Sequence, residues 1–465
     1  MKSEFGLFGL GVMGKSLCRN LASKGVRLSM FNREVASVEE NVANDFKNKF
    51  KELKDAQAFS DIELYVSSLE TPRKIMLMVN AGKTVDLVIE DLVPYLSKGD
   101  VLIDGGNSNY KDTIRRSEYL KSKNINFIGV GVSGGEEGAL KGPSLMPGGT
   151  QSTYELIRPF LEVIAAKDAR NLPCCAYVGE EGSGHFVKMV HNGIEYVEMQ
   201  LLAEVISLFS SMGFNYDQIA NILEEWKEKV DGYLLEITID ILRKKEGDDW
   251  LINKILDKAG NKGTGNWASI TSIELGVPSS MMTSALNARY ISFFKEERIK
   301  ANTLYQSTEK PTRLEIHEVL SAYQFARIVN HHQGFKLILE AANTYGWNLN
   351  LSVIARIWTN GCIIKSDLME HLVTVFNGSE NILTDKLMIS TINSLKPLAA
   401  HLVSTAIKNE IPLPCMSEAV NFFHSYKTAN STANILQAQR DYFGAHTYQR
   451  KDDPSAAFYH THWVE

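Results

Sequence analysis

Lys188, His191, Asn192 and Glu195 stand close together in one stretch, Gly182-Ser183-Gly184-His185-Phe186-Val187-Lys188-Met189-Val190-His191-Asn192-Gly193-Ile194-Glu195-Tyr196. On a helix turning about 100° per residue, they fall within roughly 100° of one another. Val190, Ile194, Val197 and Leu201 share the opposite side. One face then carries an amine, an imidazole, an amide and a carboxylate. Lys188 and Glu195 are two turns apart, about 10.5 Å along the axis. At that separation a proton acceptor and a proton donor reach different carbons of one small substrate. The competing reading is an amphipathic helix whose polar face is wet and pairs at i,i+3 and i,i+4.

The elements before this stretch alternate between strand and helix. Phe5-Gly6-Leu7-Phe8-Gly9 reads as a buried strand running into Gly9-Leu10-Gly11-Val12-Met13-Gly14 and a helix from Lys15 to Lys24. Val26 to Phe31 is a second strand. This is a βαβ unit with a glycine-rich first turn, suited to a dinucleotide. Its glycines allow a tight turn and close approach of backbone to a pyrophosphate, which the helix N-terminus attracts. The second strand ends in Asn32-Arg33-Glu34 rather than in an acidic residue placed for the ribose hydroxyls of NAD. A guanidinium suits a 2′-phosphate, which favours NADP. Glu34 repels that phosphate if its carboxylate points inward, so NAD stays open as an alternative.

Residues 35–70 read as helices and polar connections. Lys74 to Val79 is a strand closing at Asn80-Ala81-Gly82, and Val85 to Leu96 is helical. Asp100 to Asp104 is a strand ending in Gly105-Gly106-Asn107-Ser108. Asn126 to Val132 is another, ending in Ser133-Gly134-Gly135. Ligands bind beyond the carboxyl ends of strands in an open parallel sheet. Both polar, glycine-rich ends therefore fall where a substrate and a nicotinamide would meet. Gly142 to Gly149 reads as a turn-rich connection.

From about residue 183 the pattern is helical: Tyr216 to Lys229, Tyr233 to Lys244, Ile270 to Leu275, Met282 to Lys295, Arg313 to Tyr345 and Leu351 to Ile364. Strand signals are scarce. The expected architecture is an α/β Rossmann-type domain over residues 1–181, an all-α domain over 182–437 and a C-terminal tail over 438–465. Asn261-Lys262-Gly263-Thr264-Gly265-Asn266-Trp267 is a cationic, hydroxyl-bearing glycine loop that can wrap a phosphate; a solvated turn is the plain alternative. The tail mixes aromatic and charged residues.

At 465 residues the chain is long enough for two or three domains. Its 44% hydrophobic and 22% charged content is that of a globular protein. The net charge of −6 gives no reason to expect nucleic acid or an anionic membrane as partner. Cys18, Cys174, Cys175, Cys362 and Cys415 have no metal spacing, and their odd number suits a reducing cytosol. No apolar run spans a bilayer and no signal peptide is expected.

Taken together, these motifs resemble 6-phosphogluconate dehydrogenase. The resemblance is carried by GLGVMG, Asn32-Arg33, Asp104-Gly-Gly-Asn107-Ser108, Val132-Ser133-Gly134-Gly135-Glu136-Glu137-Gly138-Ala139 and Pro143 to Gly149. It continues through Lys188 to Tyr196, Asn261 to Gly265 and Arg440-Asp441-Tyr442-Phe443-Gly444-Ala445-His446-Thr447. These run in order from residue 9 to residue 447. The resemblance implies oxidative decarboxylation of 6-phospho-D-gluconate with NADP and no metal, by a cytoplasmic homodimer feeding the pentose phosphate route. It implies that Lys188 is base and then acid, and that Glu195 protonates C1 of the product enediol. Asn107, Ser133, Gly134, Gly135, His191 and Asn192 would hold the substrate. Tyr196, Lys262, Thr264 and Arg289 would hold its phosphate, with Arg440 and His446 supplied by the partner's tail. The cofactor would lie on Gly9, Leu10, Gly11, Val12, Met13, Gly14, Asn32, Arg33, Glu34, Val79, Asn80, Ala81 and Asn107. The chain departs from the family pattern at Glu34, Asn80, Val197-Glu198, Asn261 and Asn266. A dehydrogenase of another 3-hydroxy acid and a catalytically silent scaffold are the alternatives.

Overall fold

The computed structural model describes residues 1–260, 263–306 and 313–464. Its first half is a seven-stranded sheet. In chain order the strands are β1 (Phe5–Phe8), β2 (Leu28–Phe31), β3 (Gln57–Phe59), β4 (Lys74–Leu77), β5 (Val101–Asp104), β6 (Asn126–Ser133) and β7 (Ser144–Gly149). Their spatial order is β3-β2-β1-β4-β5-β6-β7. Strands β1 to β6 are parallel, with Phe8 beside both Phe31 and Leu77; β7 is antiparallel to β6. Strands β1, β2 and β5 are buried along their whole length, as expected for a parallel sheet covered on both faces. The chain order reverses between β1 and β4, which opens a crevice at their carboxyl ends.

Two strands correct the sequence reading. β3 lies within the stretch read as helices and polar connections. It has three half-buried residues at a sheet edge, too few to show a period. β7 lies in the stretch read as a turn-rich connection. Pro147 pairs with Val130 there, and its missing N–H is tolerated because β7 is the other edge.

The second half is built on two long helices, Ser183–Ser211 and Ile316–Tyr345, that pack along each other. Around them stand Tyr216–Trp226, Tyr233–Arg243, Thr264–Glu274, Ser280–Ser292, Lys386–Lys408 and Pro414–Tyr426. The expected helix from Leu351 stops at Ile357 rather than Ile364. Gly361 follows with φ +68°, and its carbonyl accepts from the Ser144 N–H at 2.8 Å. That turn docks the helical half on β7. Among the described residues of this half, the only strands are the short pairs Lys245–Glu246 with Asp249–Trp250 and Tyr448–Gln449 with Phe458–Tyr459. No helix among the described residues is long and apolar enough to cross a membrane.

The apolar residues separate into clusters. Two flank the sheet, and a larger one fills the helical half. All five cysteines are free and buried.

Candidate active site

The helix Ser183–Ser211 begins against the sheet. A Cβ at Gly131 of β6 would come within 2.5 Å of the Lys188 Cβ, and one at Gly184 within 2.5 Å of the Gly129 carbonyl oxygen. Glycines on both surfaces let helix and sheet meet backbone to backbone. The polar face is therefore largely withdrawn from water, with Glu195 half-buried at its far end. Lys188 is 6% exposed, Asn192 8% and His191 0%. Val190, Ile194, Val197 and Leu201 opposite are also buried. The solvated amphipathic helix of the competing reading is overturned by this packing.

On that face Ser133 Oγ lies 3.0 Å from His191 Nε2, and Lys188 Nζ lies 3.2 Å from His191 Nδ1. Glu195 Oε2 is 3.7 Å from the same Nδ1. Burial drives the Lys188 ammonium toward its neutral form, against the opposing pull of Glu195 and Cys362. Burial pushes the Glu195 carboxyl up, opposed by Lys188 and Arg289. His191 is held well below the ordinary imidazole range by burial and then by the Lys188 charge. A buried amine and a half-buried carboxyl with oppositely displaced titrations share one face. A neutral imidazole between them has its second nitrogen tied to Ser133.

The residues expected to hold a phosphate are brought together in part. Arg289 lies over the Tyr196 ring, Cζ 3.6 Å from the centroid, and donates to the Gly260 carbonyl at 3.1 Å. Gly265, in the first turn of Thr264–Glu274, packs against the same ring. Asn266 accepts from Tyr290 Oη at 2.8 Å. Asn261 and Lys262 lie outside the described residues, as does the Thr264 side chain. Gly134 and Gly135 have φ of +116° and +63°, a backbone path that suits glycine, and open the helix Gly135–Lys141. Asn107 is exposed at the end of β5, in a turn shaped by Asp104, which accepts from Gly106 N at 3.0 Å and Ser108 Oγ at 2.6 Å.

At the first turn, Gly9 has φ +104° and Gly14 leaves no room for a Cβ against the Gly9 carbonyl. A Cβ at Gly11 would meet nothing within 4 Å, and the helix Val12–Ser23 has no side-chain cap. Its first N–H groups stay available to an anion. Asn32 Oδ1 accepts from Leu10 N at 3.1 Å and ties the turn to β2. Val12 and Met13 continue the turn. Arg33 is 72% exposed in its side chain, with Nε 3.2 Å from Glu39 Oε2. Glu34 is exposed beside it, as are Asn80 and Ala81 after half-buried Val79. These residues fit a phosphorylated dinucleotide: open amides for the pyrophosphate and a guanidinium at the ribose end.

Arg440 and His446 are exposed on and after the helix Ala433–Gly444. Among the described residues, no hydrogen bond or ring contact joins either to the Lys188 face. Arg440 donates to Gln437 Oε1 at 3.1 Å, and the His446 ring meets Phe443. The tail is organised by Asp441 instead, which accepts from Thr447 N, Thr461 N, His460 Nδ1 and Trp463 Nε1 at 2.9 to 3.0 Å.

Sequence reasoning missed Trp358, whose ring meets His191 edge-on at 5.4 Å. It also missed Arg116, which is buried, pairs with Asp86 at 2.8 Å and reaches Asp104. Neither sits in a local motif, and only tertiary folding brings them to the site. Among the described residues, no group of three or more His, Cys, Asp or Glu is placed to hold a metal ion.

Residues 4–179 match the family described as NAD binding domain of 6-phosphogluconate dehydrogenase. Residues 184–463 match the 6-phosphogluconate dehydrogenase C-terminal domain. The chain belongs to the 6-phosphogluconate dehydrogenase family. It is 43% identical to the decarboxylating 6-phosphogluconate dehydrogenase of Lactococcus lactis, covering 99% of each chain. It is 42% identical to the one of Haemophilus ducreyi, over 100% of this chain and 97% of that one. The solved Plasmodium falciparum 6-phosphogluconate dehydrogenase superposes with a TM-score of 0.93 at 36% identity, covering 99% of this chain and all of that one. That protein is described in apo form, with its cofactor NADP+ and with its substrate 6-phosphogluconate.

Proposed function

We propose that this protein oxidises and decarboxylates 6-phospho-D-gluconate to D-ribulose 5-phosphate and carbon dioxide, with reduction of NADP. The observation that carries the reading is the pairing of buried Lys188 with half-buried Glu195 on one helix face beside His191, displaced toward neutral amine and neutral acid. NADP, when bound at the glycine turn, supplies the acceptor for hydride from C3. Lys188 Nζ takes the proton of the C3 hydroxyl, leaving a 3-keto acid. Protonated Lys188 then donates to the C3 oxygen as the carboxylate leaves and its electron pair moves into the carbonyl. Glu195 gives its proton to C1 of the resulting enediol while the enol proton returns to Lys188, and the ketose forms. Ser133, His191 and Asn192, with Asn107 and the Gly134-Gly135 backbone, orient the hydroxyls and carboxylate. Tyr196, Lys262, Thr264 and Arg289 hold the 6-phosphate, where a fixed-charge fork is well suited.

The working unit in this reading is a homodimer, in which Arg440 and His446 of the partner subunit complete each site. The exposed apolar residues of the tail, Tyr442, Phe443 and Phe458, support a docked rather than a solvated tail. The division is taken as residues 1–181, 182–437 and 438–465; its first boundary is supported by the start of the helix Ser183–Ser211, whereas the second falls inside the helix Ala433–Gly444.

The test is nicotinamide reduction by the purified protein with 6-phosphogluconate, comparing NADP with NAD and measuring carbon dioxide in parallel. Reduction with stoichiometric carbon dioxide and better use of NADP is expected. Reduction without carbon dioxide, or none with either cofactor, would overturn the reading.

A further inference from the structure

Glu198 continues the polar face of the catalytic helix. It lies one turn beyond Glu195 and, at about 100° per residue, within roughly 20° of His191. It is 3% exposed. Its Oε2 accepts from Arg327 Nε at 2.8 Å, and its Oε1 accepts from Asn330 Nδ2 at 3.2 Å. Asn330 Nδ2 also donates to the Ile194 carbonyl at 3.2 Å. His331 Nδ1, which donates to the Arg327 carbonyl at 2.8 Å, stands 3.7 Å from Glu198 Oε1. Arg327, Asn330 and His331 are all buried on the facing helix Ile316–Tyr345. Between the two helices a Cβ at Gly334 would lie within 2.6 Å of the Ile194 side chain, so the backbones approach closely here.

This arrangement is costly for what it contributes to stability. A buried ion pair is often no more stabilising than apolar residues of the same volume. It contributes direction: hydrogen bonds at Ile194 and Glu198 grip the catalytic helix at two heights within about one turn. They oppose rotation about the helix axis and sliding along it. Side-chain heads stand about 5–6 Å from that axis, so a 10° rotation displaces them by about 1 Å. A displacement of that size at a reacting group costs roughly 100-fold in rate.

We propose that Glu198 is a positioning residue, clamped by Arg327 and Asn330, that sets the rotation of the helix carrying Lys188, His191 and Glu195. The proposal rests on the catalytic reading of that face. Single substitutions leave an unpaired buried charge and can unfold the protein. The test therefore uses the paired variant Glu198→Leu/Arg327→Met in the full-length protein, with Glu198→Asp as the conservative comparison. The paired variant is expected to melt within a few degrees of wild type and to bind NADP unchanged. Its kcat for 6-phosphogluconate falls about 10- to 100-fold. Amide hydrogen exchange over residues 188–195 speeds up, a readout that needs no substrate. Glu198→Asp recovers part of the rate. A stable paired variant with wild-type kcat and wild-type exchange would overturn the clamp. Faster exchange in a protein whose wild type does not turn over 6-phosphogluconate would keep the clamp and remove the substrate assignment.

Discussion

Gly131 of β6 and Lys188 of the helix Ser183–Ser211 are in backbone-close contact: a Cβ on residue 131 would stand 2.5 Å from the Lys188 Cβ and 3.0 Å from the Gly184 carbonyl oxygen. The amine is thus carried by a helix pressed directly on the sheet whose strand ends are the proposed ligand site. Gly131→Ala should push the helix away, destabilise the protein by about 1–3 kcal/mol and lower kcat far more than the stability loss explains. Thermal melting with steady-state kinetics checks this; an active, equally stable variant would show that the contact can relax.

Lys188→Ala should reduce turnover by about 10³-fold or more, within the range for loss of an acid–base group. NADP binding, measured by fluorescence titration, should be unchanged, because the glycine turn lies on another element. Glu195→Gln should lower kcat and move the acid limb of kcat/KM to lower pH. Glu195 raises the Lys188 titration that burial lowers, so removing its charge lets the amine lose its proton at lower pH. An acid limb that moves upward would contradict the coupling.

In the proposed reading, cofactor choice turns on two carboxylates near one guanidinium. Arg33 meets Glu39 at 3.2 Å, and Glu34 is exposed alongside. Arg33→Ala should cut kcat/KM for NADP by roughly 10-fold or more while sparing NAD, on the scale of one charge-assisted fork. Glu34→Thr should raise the NADP-to-NAD ratio. Both follow from initial rates with the two cofactors.

Glu204 carries a pH-dependent stability. It is buried and accepts from the backbone N–H groups of Cys415 and Met416 at 2.8 and 2.9 Å, yet burial raises its carboxyl to about 7. A raised folded value means the protonated form is favoured by folding. That stability is full below about pH 4, declines as pH rises toward 7 and amounts to about 3 kcal/mol. Melting temperatures should fall between pH 5 and 8, and Glu204→Gln should flatten that slope. A wild-type curve that rises over this range would refute the assignment.

Asp441 has the opposite sign. Its carboxyl is held down to about 2, with burial opposing and the His460, Thr461, Trp463 and Thr447 donors prevailing. The order it gives the tail is present above about pH 4 and is lost as pH falls toward 2. Asp441→Asn should make the tail sensitive to proteolysis at neutral pH and, in the proposed dimer, weaken 6-phosphogluconate binding. Limited proteolysis and KM provide the check.

Local pattern was enough to place most of the candidate site. The glycine turn, the ends of β5 and β6 and the face with Lys188, His191, Asn192 and Glu195 are written in contiguous residues, because turns and helix faces depend on neighbours a few positions apart. β3 and β7 were not legible, being short or interrupted edge strands whose pairing is decided by β2 and β6. Burial of the helix's polar face was also invisible, since a polar stripe looks the same whether it meets water or a sheet. Only the folded chain placed Trp358 against His191 and Arg327 against Glu198, across separations of more than a hundred residues. The sequence by itself determined which chemical groups were available and along which helix face they lay. Tertiary structure decided the direction in which their titrations shift and their aim, because desolvation and long-range contacts exist only once the helix is packed between the sheet and its partner helix.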